Sequence, residues 1–278
     1  MIDLSRDWKN QGHVIVRGLY PKDLARRLLS VCNECLTQWR AYNPETGEPG
    51  GGPDATVMRH LNHPQYHRAQ PAQLIELLEA TATDAVLDIS REILGDDPLF
   101  RCTSLFMNPL ENSRDGNWHR DSQFHCPDED DEKALIVSGG DSGTSLQLQI
   151  PLLDSDDVEV VPGSHLRWDT DAEYAIRRGD GQANNTSDAM PGAVRADLAA
   201  GDAVAFNPCA IHRGRYHHDQ PRRTLMLTYT ARSHPRFDYF SDQPWFDEFG
   251  YLDGCTPSTR HFFLDFMDHY GDNWRAKR

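Results

Sequence analysis

The feature that most constrains the fold is a series of short strand-like segments between about residues 99 and 231. They are rich in β-branched and aromatic residues and are separated by turn-forming residues, as in antiparallel sheets. Many short strands that follow an α-helical beginning favour a mainly β fold with flanking helices, a jelly roll buttressed by N-terminal helices. The predicted strands are Leu99–Met107, a strand near His119, Ala134–Ser138, Thr144–Leu152, Val158–Val161, Ala203–Phe206 and Arg222–Ala231.

Two helical patterns precede these strands. One runs from Pro21 to about Tyr42 and is followed by a predicted loop, rich in Gly and Pro, from Asn43 to Pro53. The other covers about Pro71 to Leu94 and ends at Gly95. A chain of 278 residues can bury a full core as one domain. We predict one domain over 1–278, with a jelly-roll core at about 99–232, helical support at about 14–95 and a C-terminal helical extension at about 233–278.

Charge and composition argue against several classes of partner. The net charge of −15 and the pI near 5.2 make nucleic acid an unexpected partner, because phosphate contact needs a basic surface. The chain has no long apolar run and begins without a signal peptide's apolar region, so we expect a cytoplasmic protein with no membrane partner. Irregularly spaced cysteines favour reduced thiols, and Cys32 and Cys35 favour a structural role over a zinc site. The sequence does not set the oligomeric state.

Three residues in the β-rich region are candidate metal ligands. His119 and Asp121 are two positions apart, and His212 follows 91 positions after Asp121. Residues i and i+2 of a strand point to the same face, about 6.6 Å apart. Two imidazoles and one carboxylate on one side of a metal form the facial triad of non-heme Fe(II) oxygenases. In a chain with thirteen histidines, the His-x-Asp spacing alone does not identify such a site.

A pair of adjacent arginines is the next candidate. Fe²⁺, one aspartate and a 2-oxoglutarate dianion sum to a charge of −1, which one guanidinium neutralises while offering two parallel hydrogen bonds to a carboxylate. Alternation along the predicted strand places Arg222 and Arg223 on opposite faces. Both faces carry apolar residues, so periodicity does not show which arginine points inward.

Four segments occur in a characteristic order along the chain. They are Trp118–Asp121, Val160–His165 with its Pro-Gly-Ser-His motif, Ala200–Phe206 with its Gly-Asp pair, and Ile211–His212 followed by Arg222–Arg223. Their order and rough spacing resemble the phytanoyl-CoA dioxygenase family, and the resemblance extends from an opening strand at about Gly12–Gly18 to about Arg232. That family comprises Fe(II)- and 2-oxoglutarate-dependent hydroxylases on a double-stranded β-helix, the cupin-like jelly roll.

The resemblance implies a role for each matching residue. It makes His119, Asp121 and His212 the ligands of Fe(II), with 2-oxoglutarate and O₂ as cosubstrates. It assigns the distal carboxylate of 2-oxoglutarate to Arg223, eleven positions after His212. Arg59 lies in a region that comes near the active site in the family, which predicts contact with cosubstrate or substrate.

Polar residues near the motifs are candidate pocket residues. Gln147 and Gln149 share a strand face, which indicates either a polar cavity or a solvent-facing surface; the family often has a tryptophan in this strand. We predict that Gln149 contacts the cosubstrate and Gln147 the substrate. Strand phase also places Gln123 and His125 on the ligand face, as substrate contacts at the pocket mouth.

Two polar segments have alternative interpretations. The acidic cluster Asp128–Glu132 is either a solvated surface or a mobile rim that favours cationic substrates. The run Gly179–Asp188 is not expected to pack, and is either a flexible surface insertion or a lid over the site.

The predicted function is an Fe(II)- and 2-oxoglutarate-dependent dioxygenase that hydroxylates a small molecule and releases succinate and CO₂. A desaturase or another oxidative variant is the near alternative. A halogenase is not expected, because Asp121 fills the position that chloride would need. From a different class, a non-catalytic or non-oxidative cupin-like metal-binding protein is the alternative. Cupins commonly use a His-x-His pair with a glutamate, and no such pair occurs near Asp121. The sequence does not identify the substrate.

Overall fold

The computed structural model describes residues 4–42, 51–139 and 144–277, and these residues form two antiparallel sheets with flanking helices. The helices are α1 (Leu4–Gln11), α2 (Lys22–Tyr42), α3 (Pro71–Thr81), α4 (Asp84–Leu94), α5 (Glu129–Ser138), α6 (Asp171–Arg177), α7 (Gly179–Gln182) and α8 (Pro257–Arg275). The strands are β1 (His13–Val16), β2 (Val57–Arg59), β3 (Pro98–Met107), β4 (Arg114–Asp115), β5 (Ser145–Pro151), β6 (Ser155–Val160), β7 (Val194–Leu198), β8 (Ala203–Phe206), β9 (His212–Tyr216) and β10 (Arg223–Ala231). Short 3-10 helices lie at Pro64–His67, Asp121–Phe124, Ser164–Leu166 and Pro244–Asp247.

The two sheets form the predicted double-stranded β-helix. The larger sheet has the order β1-β8-β5-β10-β3-β2, and the smaller sheet has the order β4-β9-β6-β7. Val204 of β8 packs against Val158, Ala196 and Leu198 of the smaller sheet, so the sheets meet face to face through apolar side chains. The predicted mainly β jelly roll with flanking helices is confirmed.

The register of the larger sheet decides which side chains point into the barrel. On β10, Met226 pairs with Gln149 and Thr228 pairs with Gln147 of β5. Paired residues in antiparallel strands share a face, so these four side chains point to one side of the sheet. That side lines the cavity described below.

The opposite side of the larger sheet packs against the helices. Leu225, Leu227 and Tyr229 of β10 are fully buried in a core cluster that includes residues of α2, α3, α4 and α8. The hydroxyl of Tyr229 donates to the carbonyl oxygen of Thr81 at 2.6 Å, so its burial leaves no polar group unpaired. Burying each of these side chains contributes about 1.5–3 kcal/mol. The N-terminal helices therefore support the sheet that carries the site.

One predicted helix and one predicted strand have a different secondary structure from the one expected. The helix predicted over Pro71–Leu94 is two helices, because the Thr83 side chain accepts a hydrogen bond from the amide of Val86 and caps α4. The strand predicted at Ala134–Ser138 is wrong. These residues end α5, whose N-cap Asp128 accepts from the amide of Asp131 and whose C-cap Gly139 has a left-handed φ of 68°.

The strand predicted near His119 is only an isolated β-bridge at that residue. The remaining predicted strands are present with bounds shifted by a few residues, whereas β2, β4, β7 and β9 have no predicted counterpart. Residues 43–50 of the predicted loop lie outside the described residues. No helix in the described ranges is both long and apolar enough to cross a membrane.

Candidate active site

His119 and His212 are brought together by an isolated β-bridge between the segments that carry them. The amide of His119 donates to the carbonyl oxygen of His212 at 3.0 Å, and the amide of His212 donates back at 2.9 Å. Asp121 begins a 3-10 helix, and its amide donates to the carbonyl oxygen of Pro208 at 2.8 Å. As a result, the potential ligand atoms of the three side chains all lie within 4.8 Å of one another.

The two imidazole rings are oriented so that Nε2 points to Asp121. Nδ1 of His119 lies 2.7 Å from the carbonyl oxygen of Asn117, and Nδ1 of His212 lies 2.9 Å from that of Ala210. A carbonyl oxygen only accepts, so each Nδ1 carries a proton and each Nε2 presents a lone pair. The Nε2 atoms lie 3.5 and 3.6 Å from Oδ1 of Asp121.

The surroundings keep His212 and Asp121 in the protonation states that a metal needs. Burial, with His119 nearby, lowers the pKa of His212 to about 4, so its ring is neutral at pH 7. Burial alone would raise the pKa of the Asp121 carboxyl. The adjacent His119 and His212 side chains and the hydrogen bond from Gln147 outweigh burial and hold that pKa well below its usual range. Two imidazoles and one carboxylate on one side of a site fit a divalent iron ion.

A cavity of about 430 Å³ opens from this cluster into the barrel. A volume of this size holds a small molecule rather than a polymer. The lining combines aromatic side chains with polar and cationic ones. The lining residues are Arg59, Phe106, His119, Asp121, Phe124, His125, Gln147, Gln149, His212, Arg213, Gly214, Tyr216, Met226 and Phe240.

Of the two adjacent arginines, Arg222 points into the barrel. Its side chain is 2% exposed, lies over the rings of Tyr216 and Phe106, and donates to Oε1 of Gln149 at 3.3 Å. A Cβ at Gly214 would lie 2.9 Å from Nη1 of Arg222, so the lack of a side chain there gives the guanidinium its space.

Arg223 points away from the cavity, which contradicts the register predicted from family spacing. Its guanidinium donates to Oδ1 of Asn33 in α2 at 2.7 Å and to Oδ1 of Asn108 at 2.9 Å. Arg223 belongs to the face of β10 that packs on the helices, together with Leu225 and Leu227. The interior arginine therefore follows His212 by ten positions instead of eleven.

Most of the predicted pocket residues do line the cavity. Gln147 donates to Oδ2 of Asp121, so it fixes the carboxylate as well as facing the cavity. Gln149 faces Arg222, and His125 lies at the exposed mouth. Arg59 lies over the rings of Phe106 and Phe240, and its Nη1 donates to Oγ of Ser104 at 3.0 Å.

Gln123 does not line the cavity. Its segment is a 3-10 helix, so the two-residue alternation used to predict its direction does not apply. Its Oε1 accepts from Nη1 of Arg177 at 3.0 Å, on the side away from the cavity lining.

A buried ion-pair network lies behind the candidate ligands, and sequence reasoning missed it. Arg120 is 0% exposed and pairs with Asp169 at 2.8 Å. It also donates to the carbonyl oxygens of Ser164 and Cys209, at 2.7 and 2.6 Å. This one side chain thus ties the His119–Asp121 segment to the Pro-Gly-Ser-His turn and to the segment before His212. Arg120 lies between His119 and Asp121, whose side chains share a face. Alternation therefore turns the Arg120 side chain to the opposite face, which is the sequence signal for its role.

The acidic cluster Asp128–Glu132 is not wholly solvated, because Glu132 belongs to the same network. Its carboxylate is fully buried, accepts from Oγ of Ser122 at 3.0 Å, and pairs with Arg177 and Arg178. The helix α5 is thereby anchored beside the 3-10 helix that carries Asp121. For Glu132, this arrangement contradicts both the solvated surface and the mobile rim that the sequence suggested.

The polar run Gly179–Asp188 packs on the protein, contrary to expectation. Nε1 of Trp118 donates to the carbonyl oxygen of Ser187 at 2.8 Å, and its amide donates to that of Asn185 at 2.9 Å. Arg213 lies over the Trp118 ring at 4.5 Å and pairs with Asp188. The run therefore buttresses the residue directly before His119.

Comparison with known proteins agrees with this site. The family model described as phytanoyl-CoA dioxygenase (PhyH) matches residues 8–224, which is more than half of the chain. The chain belongs to the phytanoyl-CoA dioxygenase family. No curated protein matches it significantly.

Solved structures of similar fold include three proteins of low sequence identity. EctD from S. alaskensis, crystallised with 2-oxoglutarate and 5-hydroxyectoine, is 19% identical with a TM-score of 0.58, over 92% of this chain and 85% of that chain. AviO1 from Streptomyces viridochromogenes Tue57 is 16% identical with a TM-score of 0.59, over 84% and 96%. The carbocyclase SnoK from nogalamycin biosynthesis, described as non-heme and alpha ketoglutarate dependent, is 19% identical with a TM-score of 0.58, over 83% and 84%. At this identity, the likeness concerns the fold.

Proposed function

We propose that this protein is an Fe(II)- and 2-oxoglutarate-dependent dioxygenase that hydroxylates a small molecule. The observation that carries the proposal is the cluster of His119, Asp121 and His212 at the wall of a cavity of about 430 Å³. The family membership and the bound 2-oxoglutarate of the EctD structure support it. When bound, Fe(II) and 2-oxoglutarate supply the oxidising chemistry, with O₂ consumed and succinate and CO₂ released.

The protein's own residues bind and orient the reactants. His119, Asp121 and His212 would hold the metal through two Nε2 atoms and one carboxylate oxygen. The hydrogen bond from Gln147 to Asp121 fixes that carboxylate, as outer partners of metal ligands do.

Arg222 is the residue we assign to the distal carboxylate of 2-oxoglutarate. It is buried, cationic and inside the barrel, and its nearest carboxylate, Asp157, lies 3.6 Å from Nε. A planar guanidinium suits a carboxylate because it donates two parallel hydrogen bonds. Gln149 lies beside it and orients the guanidinium.

The proposal is tested by binding and turnover of 2-oxoglutarate with the purified protein. We expect an Fe(II)-dependent visible absorption band when 2-oxoglutarate is added anaerobically, and slow succinate formation in air without added substrate. In His119→Ala, both should be lost, because one imidazole ligand is missing. Protein that folds normally but neither binds nor consumes 2-oxoglutarate with Fe(II) would show that the proposed function is wrong. The mass of a product then distinguishes hydroxylation from desaturation, chlorination or another oxidation.

A further inference from the structure

A second, smaller cavity of about 40 Å³ adjoins the first on the far side of Asp121. Both cavities share Asp121, His125, Gln147 and Phe240 in their walls. A volume of 40 Å³ is close to that of one or two water molecules, so it admits a head group and not a whole substrate. Its wall is formed by Arg101, Asp121, Ser122, His125, Ser145, Gln147, Pro208, Cys209, Thr228, Arg236 and Phe240.

The inner face of β5 shows how the two cavities are arranged. Gln149 faces Arg222, Gln147 bonds Asp121, and Ser145 lines the small cavity. Residues two apart on a strand are separated by about 6.6 Å, so these three positions are successive levels along the barrel. The candidate metal ligands lie at the middle level. If the cosubstrate extends from there towards Arg222, the substrate is left with the opposite direction, towards Ser145.

That opposite end of the site is cationic. Arg101 and Arg236 both line the small cavity and share one carboxylate, Asp238, so the group carries a net charge of about +1. Arg101 is 4% exposed and its Nε has no hydrogen-bond partner among the described residues. A buried guanidinium with an unused donor is costly and favours an added acceptor.

The charged residues along both cavities also favour an anionic substrate. Among the described residues that line them, Asp121 is the one acid, whereas Arg59, Arg101, Arg213 and Arg236 are basic. Asp121 is balanced by the metal, the cosubstrate and Arg222, and Arg213 pairs with Glu159 and Asp188. The excess of positive charge remains at Arg59 and at the Arg101 and Arg236 pair. It contrasts with the net charge of −15 of the chain.

We propose that the substrate is a small carboxylate-bearing molecule whose carboxylate binds at Arg101 and Arg236. The apolar part of the substrate lies in the larger cavity against Phe240 and Phe124. Phe124 is 66% exposed at the mouth of the cavity, and its ring lies 5.6 Å from that of His119. The distance between the levels of Ser145 and Gln147 then places the oxidised carbon a few bonds from the carboxylate. This assignment rests on the proposed function and names its substrate class. It replaces the cationic substrates that the acidic cluster favoured.

The test uses benzoate and benzamide as probes, because they share a flat apolar body and differ in charge. The protein is loaded with Zn(II), which prevents turnover, and with saturating 2-oxoglutarate, which fills the Arg222 end. Binding is measured by calorimetry. We expect benzoate to bind at least tenfold more tightly than benzamide. Arg236→Gln and Arg101→Gln should each weaken benzoate binding at least tenfold.

Arg232→Gln is the matched control, because Arg232 is half exposed and pairs with Asp265 outside both cavities. It should leave benzoate binding unchanged. Arg236 is about one-third exposed, so its variant keeps the test valid if Arg101→Gln fails to fold. Equal binding of the two probes, no benzoate binding, or full binding in Arg236→Gln would each overturn the assignment. The titration with 2-oxoglutarate is run first. If 2-oxoglutarate does not bind, the proposed function fails, and benzoate is then tested in its absence, so that the two failures are distinguished.

Discussion

At the scale of single residues, the two adjacent arginines show how one position of register changes a functional assignment. Arg222 and Arg223 face opposite sides of β10, and only Arg222 shares the face of Met226 and Thr228. Sequence alternation separates the two arginines correctly. It could not identify the inner one, because the outer face of this sheet is also buried, by helices. The pairing of β10 with Gln147 and Gln149 on β5 supplies the missing information.

The arginine assignment gives a direct prediction. In Arg222→Gln, the apparent KM for 2-oxoglutarate should rise by about a hundredfold or more, because a buried carboxylate loses a charge-assisted bidentate partner. In Arg223→Gln, it should change by less than about threefold, since Arg223 donates to Asn33, Asn108 and the carbonyl oxygen of Arg222, all away from the cavity. Steady-state kinetics and equilibrium binding of 2-oxoglutarate check both variants. A large effect confined to Arg223→Gln would restore the spacing that the family resemblance implied.

At the scale of elements, the sequence predicted the jelly roll and the clustering of the three candidate ligands better than it predicted the segments around them. Long strands such as β3 and β10 have strong apolar patterns. By contrast, β9 reads His-Arg-Gly-Arg-Tyr and is a strand because of its pairing with β6 and β4. The run Gly179–Asp188 is equally polar, yet it packs through backbone carbonyls bonded to Trp118 and Arg213. Such contacts depend on tertiary structure, which local composition does not encode.

The Arg120 network links three of these elements, and we predict that it positions the metal ligands. Arg120→Met should lower the free energy of unfolding by about 3–5 kcal/mol, because it leaves a buried charge with fewer partners. At a temperature where the variant is fully folded, its affinity for Fe(II) should also fall, because the segments of His119 and His212 lose a common anchor. Denaturant unfolding and metal titration measure the two effects.

Arg195→Gln serves as the control for that variant, because the Arg195 side chain is 41% exposed and pairs with the exposed Asp156. Its cost should stay below about 1 kcal/mol. If Arg120→Met binds Fe(II) as tightly as the wild type, the network stabilises the fold without positioning the ligands.

At the scale of the whole molecule, one core cluster connects the N-terminal helices, the larger sheet and α8. The cysteines can be used to test this connection, because four of them are buried in its different parts and two are partly exposed. The buried ones are Cys32 and Cys35 in α2, Cys102 in β3 and Cys209 before β9, and the partly exposed ones are Cys126 and Cys255. Burial also raises the pKa of Cys32 to about 12, which keeps that thiol protonated and unreactive at pH 8. We therefore expect Cys126 to react readily in the native protein, and Cys255 to react slowly, because burial raises the pKa of its thiol to about 11.

The prediction of one domain over 1–278 is tested by following the same cysteines during unfolding. In a urea series, pulsed alkylation with mass spectrometry should show the four buried cysteines becoming reactive at one midpoint, because helices and sheet share their apolar core. Labelling of the partly exposed Cys126 in the absence of urea is the internal control for reagent access. If Cys32 and Cys35 became reactive at distinctly lower urea than Cys102 and Cys209, the helical support would unfold separately from the barrel. The prediction of a single domain would then be wrong, and the site would be carried by the barrel alone.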